Sequence, residues 1–320
     1  MTSNQQRTVD AMTEMRMRSI RRNGKRWAYN MGQNFGHVKN DHEEVTESFG
    51  EWTSKSNAVI FASGASLSRY SGEISKINDS SIVVATPTNV PWLLDEGVRI
   101  DFVVIADAHA SMAKKLKGYD GPIVCPPTVD KAVGELDNEK YWFKLLMGTG
   151  QYDDPHFGIW NMMMHGMFPD IKSGYLAELS CVTNMALAIV GYFMYTNKLT
   201  CERIILAGAD YAYWQDWARI DTQLRPRPLE VDLMEWEGYQ TNARMVVYKD
   251  RLLNVWAQIQ GIPIYSMSKG IIHEIPEIEL QNILDNEYPA RPLDAEVTAR
   301  IKEFRGRFLE EFGPKIGDEE

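Results

Sequence analysis

Six short apolar runs recur through the middle of this chain: 58–62 (AVIFA), 82–86 (IVVAT), 102–106 (FVVIA), 122–125 (PIVC), 203–207 (RIILA) and 262–266 (IPIYS). Most are near-continuous rather than alternating, the pattern of strands buried on both faces. Helical patterns lie between them, at 183–197 (TNMALAIVGYFMYTN) and 244–260 (RMVVYKDRLLNVWAQIQ). Strands alternating with helices predict a parallel sheet covered on both sides. The expected fold is therefore α/β, with a doubly wound, mainly parallel, Rossmann-like sheet over 55–280. Residues 1–54 read as a helical N-terminal segment, with a cap at Asp41 before HEEVTESFGEW. Residues 281–320 read as a C-terminal helical extension carrying DAEVTARIKEFRGRFLEEF. Residues 126–180 break the rhythm with PP, GTGQYDDP and IWNMMMHGMFPD, and read as a helical insertion or lid. The methionines there suit core filling, since Met packs into irregular gaps.

Composition narrows the function classes. In 320 residues, 44% are hydrophobic, enough for a large core. No apolar run approaches the ~18 residues of a membrane span, and MTSNQQRTVDAM lacks the apolar stretch of a secretory signal. Cys125, Cys181 and Cys201 lie far apart, without zinc spacing, as expected of reduced thiols in a cytoplasmic protein. The net charge of −10 argues against a duplex-binding protein. Residues 16–26 (RMRSIRRNGKR) depart from it, with six basic residues and no acid. They read as a solvated helix face, or as a contact for an anionic polymer or a membrane surface. A homo-oligomer is compatible with all of this.

In open α/β sheets, ligands sit beyond the carboxyl ends of the strands. Those ends carry Ser63-Gly64-Ala65-Ser66, Thr86-Pro87-Thr88-Asn89, Asp107-Ala108-His109, Gly208-Ala209-Asp210-Tyr211 and Ser266-Met267-Ser268-Lys269-Gly270. Gly64 permits a tight turn and a close backbone approach. Ser66 or Ser68 is placed to cap a helix over SLSRYSGEISKI, whose free N–H groups would suit phosphate. The bland alternative is a plain strand–turn–helix connection, and neither G-x-G-x-x-G nor a Walker A loop is present. Asp107 and His109 together could hold a divalent metal such as Mg²⁺, with Asp107 the metal ligand, or supply a general base. Otherwise Asp107 caps the helix of HASMAKKL. Asp210 would bond ribose hydroxyls or fix a loop. Lys269 would neutralise phosphate or stay solvated. His156 and His165 would enter the site if the insertion is a lid; His37, His42 and His273 read as structural. Arg225-Pro-Arg-Pro suits an anionic acceptor or a stiff surface loop.

Taken in order, these segments resemble the domain family shared by archaeal 6-hydroxymethylpterin pyrophosphokinases and bacterial flagellar motility accessory factors. The matching pieces are Gly64-Ala65-Ser66-Leu67, GVRIDFVVIAD (97–107), SCVTNMALAI (180–189), IILAGADYAY (204–213), Thr241 with Tyr248, and IYSMSKGIIHEIPEIEL. Ala65 and Ile100 stand where the family has proline. The layout is also similar to bacterial CMP-sialic acid-dependent sialyltransferases. By that resemblance, Gly64, Ser66, Ser180 and Thr183 would hold a nucleotide, and Tyr211 or Tyr213 would meet the leaving phosphate. The strand-end residues Thr86, Thr88, Asn89, Gly208, Asp210, Ser266, Ser268 and Gly270 complete the candidate nucleotide site. The catalytic His of those enzymes is missing from EGYQTNARMVVYKD. The resemblance implies a transferase using a nucleotide-activated donor, foremost a glycosyltransferase with a CMP-type or other nucleotide sugar. The alternatives are an ATP- and Mg²⁺-dependent diphosphokinase acting on a hydroxymethyl compound such as a hydroxymethylpterin, and a non-catalytic nucleotide-binding or assembly protein. The acceptor could be a protein, a glycan, a modified nucleobase or a small alcohol.

Overall fold

The computed structural model describes residues 23–49, 55–147, 155–176, 181–214, 217–220, 224–226, 233–259 and 261–312. Its centre is a seven-stranded sheet of β1 (Asn57–Phe61), β2 (Ser81–Ala85), β3 (Phe102–Val104), β4 (Ile123–Cys125), β5 (Lys140–Trp142), β6 (Arg203–Ala207) and β7 (Ile264–Ser266). The spatial order is β7-β6-β1-β2-β3-β4-β5, and every neighbouring pair is parallel. The chain winds outward from β1 to β5, then returns to lay β6 against the other side of β1, with Ala58 pairing both Ile82 and Ile204. β1 and β2 are buried along their whole length, which is why their sequences do not alternate.

Five longer helices matter below: α1 (23–34), α2 (Pro155–Met167), α3 (Val182–Tyr195), α4 (Ala243–Gln258) and α5 (Asp294–Phe312). α3 is the crossover into β6; it packs on β1 and β3 and against α4. Asn242 caps α4 by accepting the Met245 amide at 3.1 Å. α5 is tied down by a buried ion cluster. Lys249 is fully buried, with Nζ 2.8 Å from Glu237 and 3.0 Å from Glu274, above the Phe304 ring, while Arg307 meets Glu237 at 2.8 Å.

Three expectations change. The segment after β1 forms two 3₁₀ helices, Ala65–Tyr70 and Ile74–Asp79, not one α-helix. Gly72 between them has φ +79, and neither serine caps: Ser66 bonds to Asp210 and Ser68 to the Ala65 carbonyl. The expected insertion 126–180 contributes β5 to the sheet edge, and holds a second parallel pair, Lys144–Leu146 with Gly174–Leu176, bracketing α2. A three-residue Lys-Tyr-Trp strand carries no apolar run to reveal it. The Asp41 cap holds, but over a 3₁₀ helix, His42–Phe49: Asp41 Oδ1 accepts the Glu43 amide and Glu44 accepts that of Asp41. Cys125, Cys181 and Cys201 are free thiols. Among the described residues, no helix is long and apolar enough to cross a membrane.

Candidate functional site at the switch of strand order

Strand order reverses between β1 and β6, and their carboxyl ends meet beside that of β7. The contact is backbone on backbone. The Gly64 amide donates to Gly208 O at 2.7 Å. A Cβ on Gly64 would overlap Gly208 O and the Asp210 carboxylate, and one on Gly270 would overlap the Asp210 backbone. Gly208 itself has φ +69. Asp210, 2% exposed, accepts the Ser66 amide at 3.0 Å and the Ser66 hydroxyl at 2.5 Å. Burial pushes its carboxyl up to about 6, against the pull of those Ser66 bonds. Ser266 Oγ accepts the Ser268 amide, Ser268 Oγ accepts the Ala209 amide, and Ser66 Oγ accepts the Lys269 amide.

The structure thus brings Gly64, Ser66, Gly208, Asp210, Ser266, Ser268 and Gly270 together, but uses them as a keystone between three strand ends. This corrects the phosphate-cradle expectation for the Gly64 and Ser66 amides, which donate to Gly208 and Asp210. Of the two readings of Asp210, it is the loop-fixing one that the bonds describe. The Lys269 ammonium pairs with Glu277 and Glu279. At the end of β2, Thr86 and Asn89 are buried, with the Asn89 amide donating to Ala62 O at 3.0 Å; Thr88 accepts from Lys115 at 2.8 Å.

A second set of groups gathers where α3 and α4 begin. Tyr211, half-buried at φ +49, donates its hydroxyl to Asn184 Oδ1 at 2.7 Å, and Cys181 Sγ lies 3.9 Å from the Tyr211 hydroxyl oxygen. The Asn184 amide group donates to the Tyr248 carbonyl at 3.0 Å. Burial holds the Tyr248 phenol above its ordinary pKa; Arg244 opposes this, while Cys181 and Asp107 reinforce it. Those contributions bring Asp107, from the end of β3, within electrostatic reach of α4. Burial likewise pushes the Cys181 thiol up, despite the Asn184 and Thr183 amides and the Tyr211 hydroxyl beside it.

Asp107 and His109 are both exposed. Asp107 Oδ1 accepts the His109 amide at 3.0 Å, and the Ser111–Lys115 helix takes Ala110 as its N-cap, so the helix-cap reading of Asp107 is corrected to a local turn. His109 Nδ1 is 3.3 Å from the Ser111 hydroxyl. Among the described residues, no group of three or more His, Cys, Asp and Glu gathers to hold a metal. Mg²⁺ that keeps phosphates and water in its shell takes one or two carboxylates from the protein, and the exposed Asp107 is a single carboxylate. Tyr213 is buried, accepting from Asn242 at 2.9 Å as a prop beneath α4. Thr183 is buried in the first turn of α3. Ser180, the His156 side chain and the end of Arg225-Pro-Arg-Pro lie outside the described residues. His165 sits 3.1 Å from the buried Lys144.

Sequence reasoning missed Asn184, Arg244 and Tyr248 as site residues. The i, i+4 spacing of Arg244 and Tyr248 in the opening turns of a helix was a usable signal. It also missed Asn30 and Asn34 of α1. Asn30 Nδ2 donates to Ala108 O at 3.4 Å and Thr128 O at 2.9 Å; Asn34 Nδ2 donates to Pro127 O and Val129 O. The N-terminal helix thereby pins the loops after β3 and β4.

The sequence model of the MptE-like family, described as 6-hydroxymethylpterin diphosphokinase MptE-like, matches residues 29–216, more than half of the chain. The chain belongs to the MptE-like family. The matched stretch opens inside α1 and runs just past Tyr213, so it takes in the asparagine pins, β1 through β6 and the Tyr211 turn. No curated protein matches the chain. Among solved structures, the MAf glycosyltransferase from Magnetospirillum magneticum AMB-1 superposes with a TM-score of 0.51 at 14% identity, over 88% of this chain and 45% of that one. At that identity the likeness carries the α/β fold, and this chain spans less than half the length of that protein.

Proposed function

We propose that this member of the MptE-like family transfers a group from a nucleotide-activated donor lying across the carboxyl edge, with a sugar from a CMP-type or other nucleotide donor as the leading case. The observation that carries the reading is the joining of Tyr211, Asn184 and the Tyr248 backbone where α3 and α4 begin side by side, with Asp107 near enough to weigh on the Tyr248 phenol. Helix N-termini present unpaired N–H groups and a positive dipole end, which favour phosphate. The Tyr248 phenol, kept protonated by burial, can donate to a leaving phosphate oxygen as charge develops there. Asp107, or His109 beside it, would accept the acceptor's hydroxyl proton. The Gly64–Ser66–Asp210 keystone sets the floor of this edge without itself reaching the ligand.

The family's description and the exposed Asp107 favour a second reading, transfer of diphosphate from ATP to a hydroxymethyl compound. Asp107 would hold the Mg²⁺ of that reaction, which would supply neutralisation of the phosphate charge. Thermal-shift measurements with CMP, CDP, UMP, UDP, AMP and ATP, each with and without Mg²⁺, test both. A ligand at a hundred times its Kd stabilises by about 2.7 kcal/mol. A shift with a cytidine or uridine nucleotide and no metal supports sugar transfer. A shift with ATP only when Mg²⁺ is present supports diphosphate transfer. No shift with any nucleotide defeats both and leaves an assembly role.

A further inference from the structure

The last turn of α1 faces inward with amides where a packed helix ordinarily has apolar side chains. Of residues 23–34, three are buried: Asn30, at 2% exposure, Met31 and Asn34. Asn30 Nδ2 donates to Ala108 O at 3.4 Å and to Thr128 O at 2.9 Å. Both partners are carbonyls, so only the nitrogen of the amide, with its two hydrogens, can face them. One side chain thus joins the loops after β3 and β4. The family match begins at residue 29, so it takes in this turn of α1 and not the residues before it.

Ala108 is the middle residue of the Asp107–His109 turn. It is buried, while Asp107 and His109 on either side are exposed. The bond from the His109 amide to Asp107 Oδ1 holds those two residues to each other, but not to the rest of the sheet edge. The bond at Ala108 O supplies that reference, because its donor stands on another element, 78 residues back along the chain. Asp107 is near enough to α4 to weigh on the Tyr248 phenol, so a shift of the turn alters what the carboxylate faces.

We propose that Asn30 is a positioning residue of the transfer site, setting through Ala108 O where Asp107 and His109 stand. It acts through that turn and does not touch the substrate. Its role rests on the transfer reading; its hydrogen bonds do not. Asn suits the task because one nitrogen serves two carbonyls. Asp would set carboxylate oxygens against them, and Ala would leave both buried carbonyls without this donor. A misplacement of about 1 Å at a reacting group can cost roughly a hundredfold in rate, so the tether bears on turnover rather than on donor binding.

Two measurements on the full chain test this, and the first needs no ligand. Hydrogen exchange over residues 106–112, read by mass spectrometry, should quicken roughly tenfold or more in Asn30→Ala. Asn34→Ala, whose carbonyl partners Pro127 and Val129 both lie after β4, should leave 106–112 as in wild type. The second is hydrolysis of CMP-sialic acid, UDP-N-acetylglucosamine or ATP with Mg²⁺, chosen by the nucleotide that shifts the melting temperature. Water then replaces the acceptor and gives its proton to Asp107 or His109. In Asn30→Ala, kcat should fall roughly tenfold or more with KM within about twofold, and the nucleotide-dependent thermal shift should survive. Asn30→Ser, which keeps one donor, should fall between the two, and serves in its place if Asn30→Ala does not fold. Unchanged exchange over 106–112, or exchange quickened equally in Asn34→Ala, overturns the tether. Quickened exchange with kcat unchanged makes Asn30 merely structural and overturns the proposal while the transfer reading stands. No thermal shift with any nucleotide in wild type is the failure of the transfer reading, told apart by an exchange difference that persists without it.

Discussion

Replacing Asp210 by Asn should flatten part of the protein's pH–stability profile. The carboxyl is buried and bonded twice by Ser66, and burial outweighs those bonds, lifting its pKa from 3.8 to about 6. The native state therefore binds a proton more tightly than the unfolded chain does. The stabilisation this gives is fully present below about 3.8 and is lost as pH rises through about 6. At 1.36 kcal/mol per pKa unit, the loss is about 3 kcal/mol. Asn has the same shape, stays neutral, and can still accept the Ser66 amide while the Ser66 hydroxyl accepts from it. Urea unfolding at closely spaced pH values between 4 and 7.5 should show the difference in stability moving toward the Asn variant by about 3 kcal/mol across that window. Parallel profiles, or wild type gaining on the variant as pH rises, would refute the claim that burial dominates at this carboxylate.

Gly270→Ala should lower stability by roughly 3 kcal/mol or more, because its Cβ meets the Asp210 backbone, which cannot rotate away; Gly306→Ala, in open space on α5, should stabilise by about 0.5–1 kcal/mol in the same urea assay. Lys249→Met should cost about 3–5 kcal/mol by leaving Glu237 and Glu274 facing each other beneath α5, and calorimetry should show the loss persisting in high salt. Asp107→Asn keeps the turn to the His109 amide, so its melting temperature should not move. Its turnover should fall roughly a hundredfold or more, and recovery with added Mg²⁺ would mark a metal ligand rather than a base; unchanged turnover would remove Asp107 from the site.

The sheet was legible because burial on both faces of β1, β2 and β6 leaves an unbroken apolar run in each. β5 was not, since Lys-Tyr-Trp at a sheet edge has no such run. Gly64 was legible as a point of close approach, but not what approaches it: Gly208 and Asp210 lie more than 140 residues along the chain, as the 144-residue separation of Ser66 from Asp210 records. The same long range hid Asn30, whose partners Ala108 and Thr128 are 78 and 98 residues away. Periodicity registers neighbours within an element; it is silent on side chains that reach across to another element's backbone.

The winding of the sheet also sets the order in which its edges can close during synthesis. β1 emerges early and gains β2 at once, but its other side stays open until residues 203–207 have been made. Through that interval this buried strand presents a free row of N–H and C=O groups, a template for pairing with another chain. Loop closure over so long a span is slow, so the nascent protein is most exposed to aggregation while α3 is still being delivered. The glycine contact between Gly64 and Gly208 forms only when that edge is sealed, which makes it a late event in folding as well as a close junction in the finished sheet.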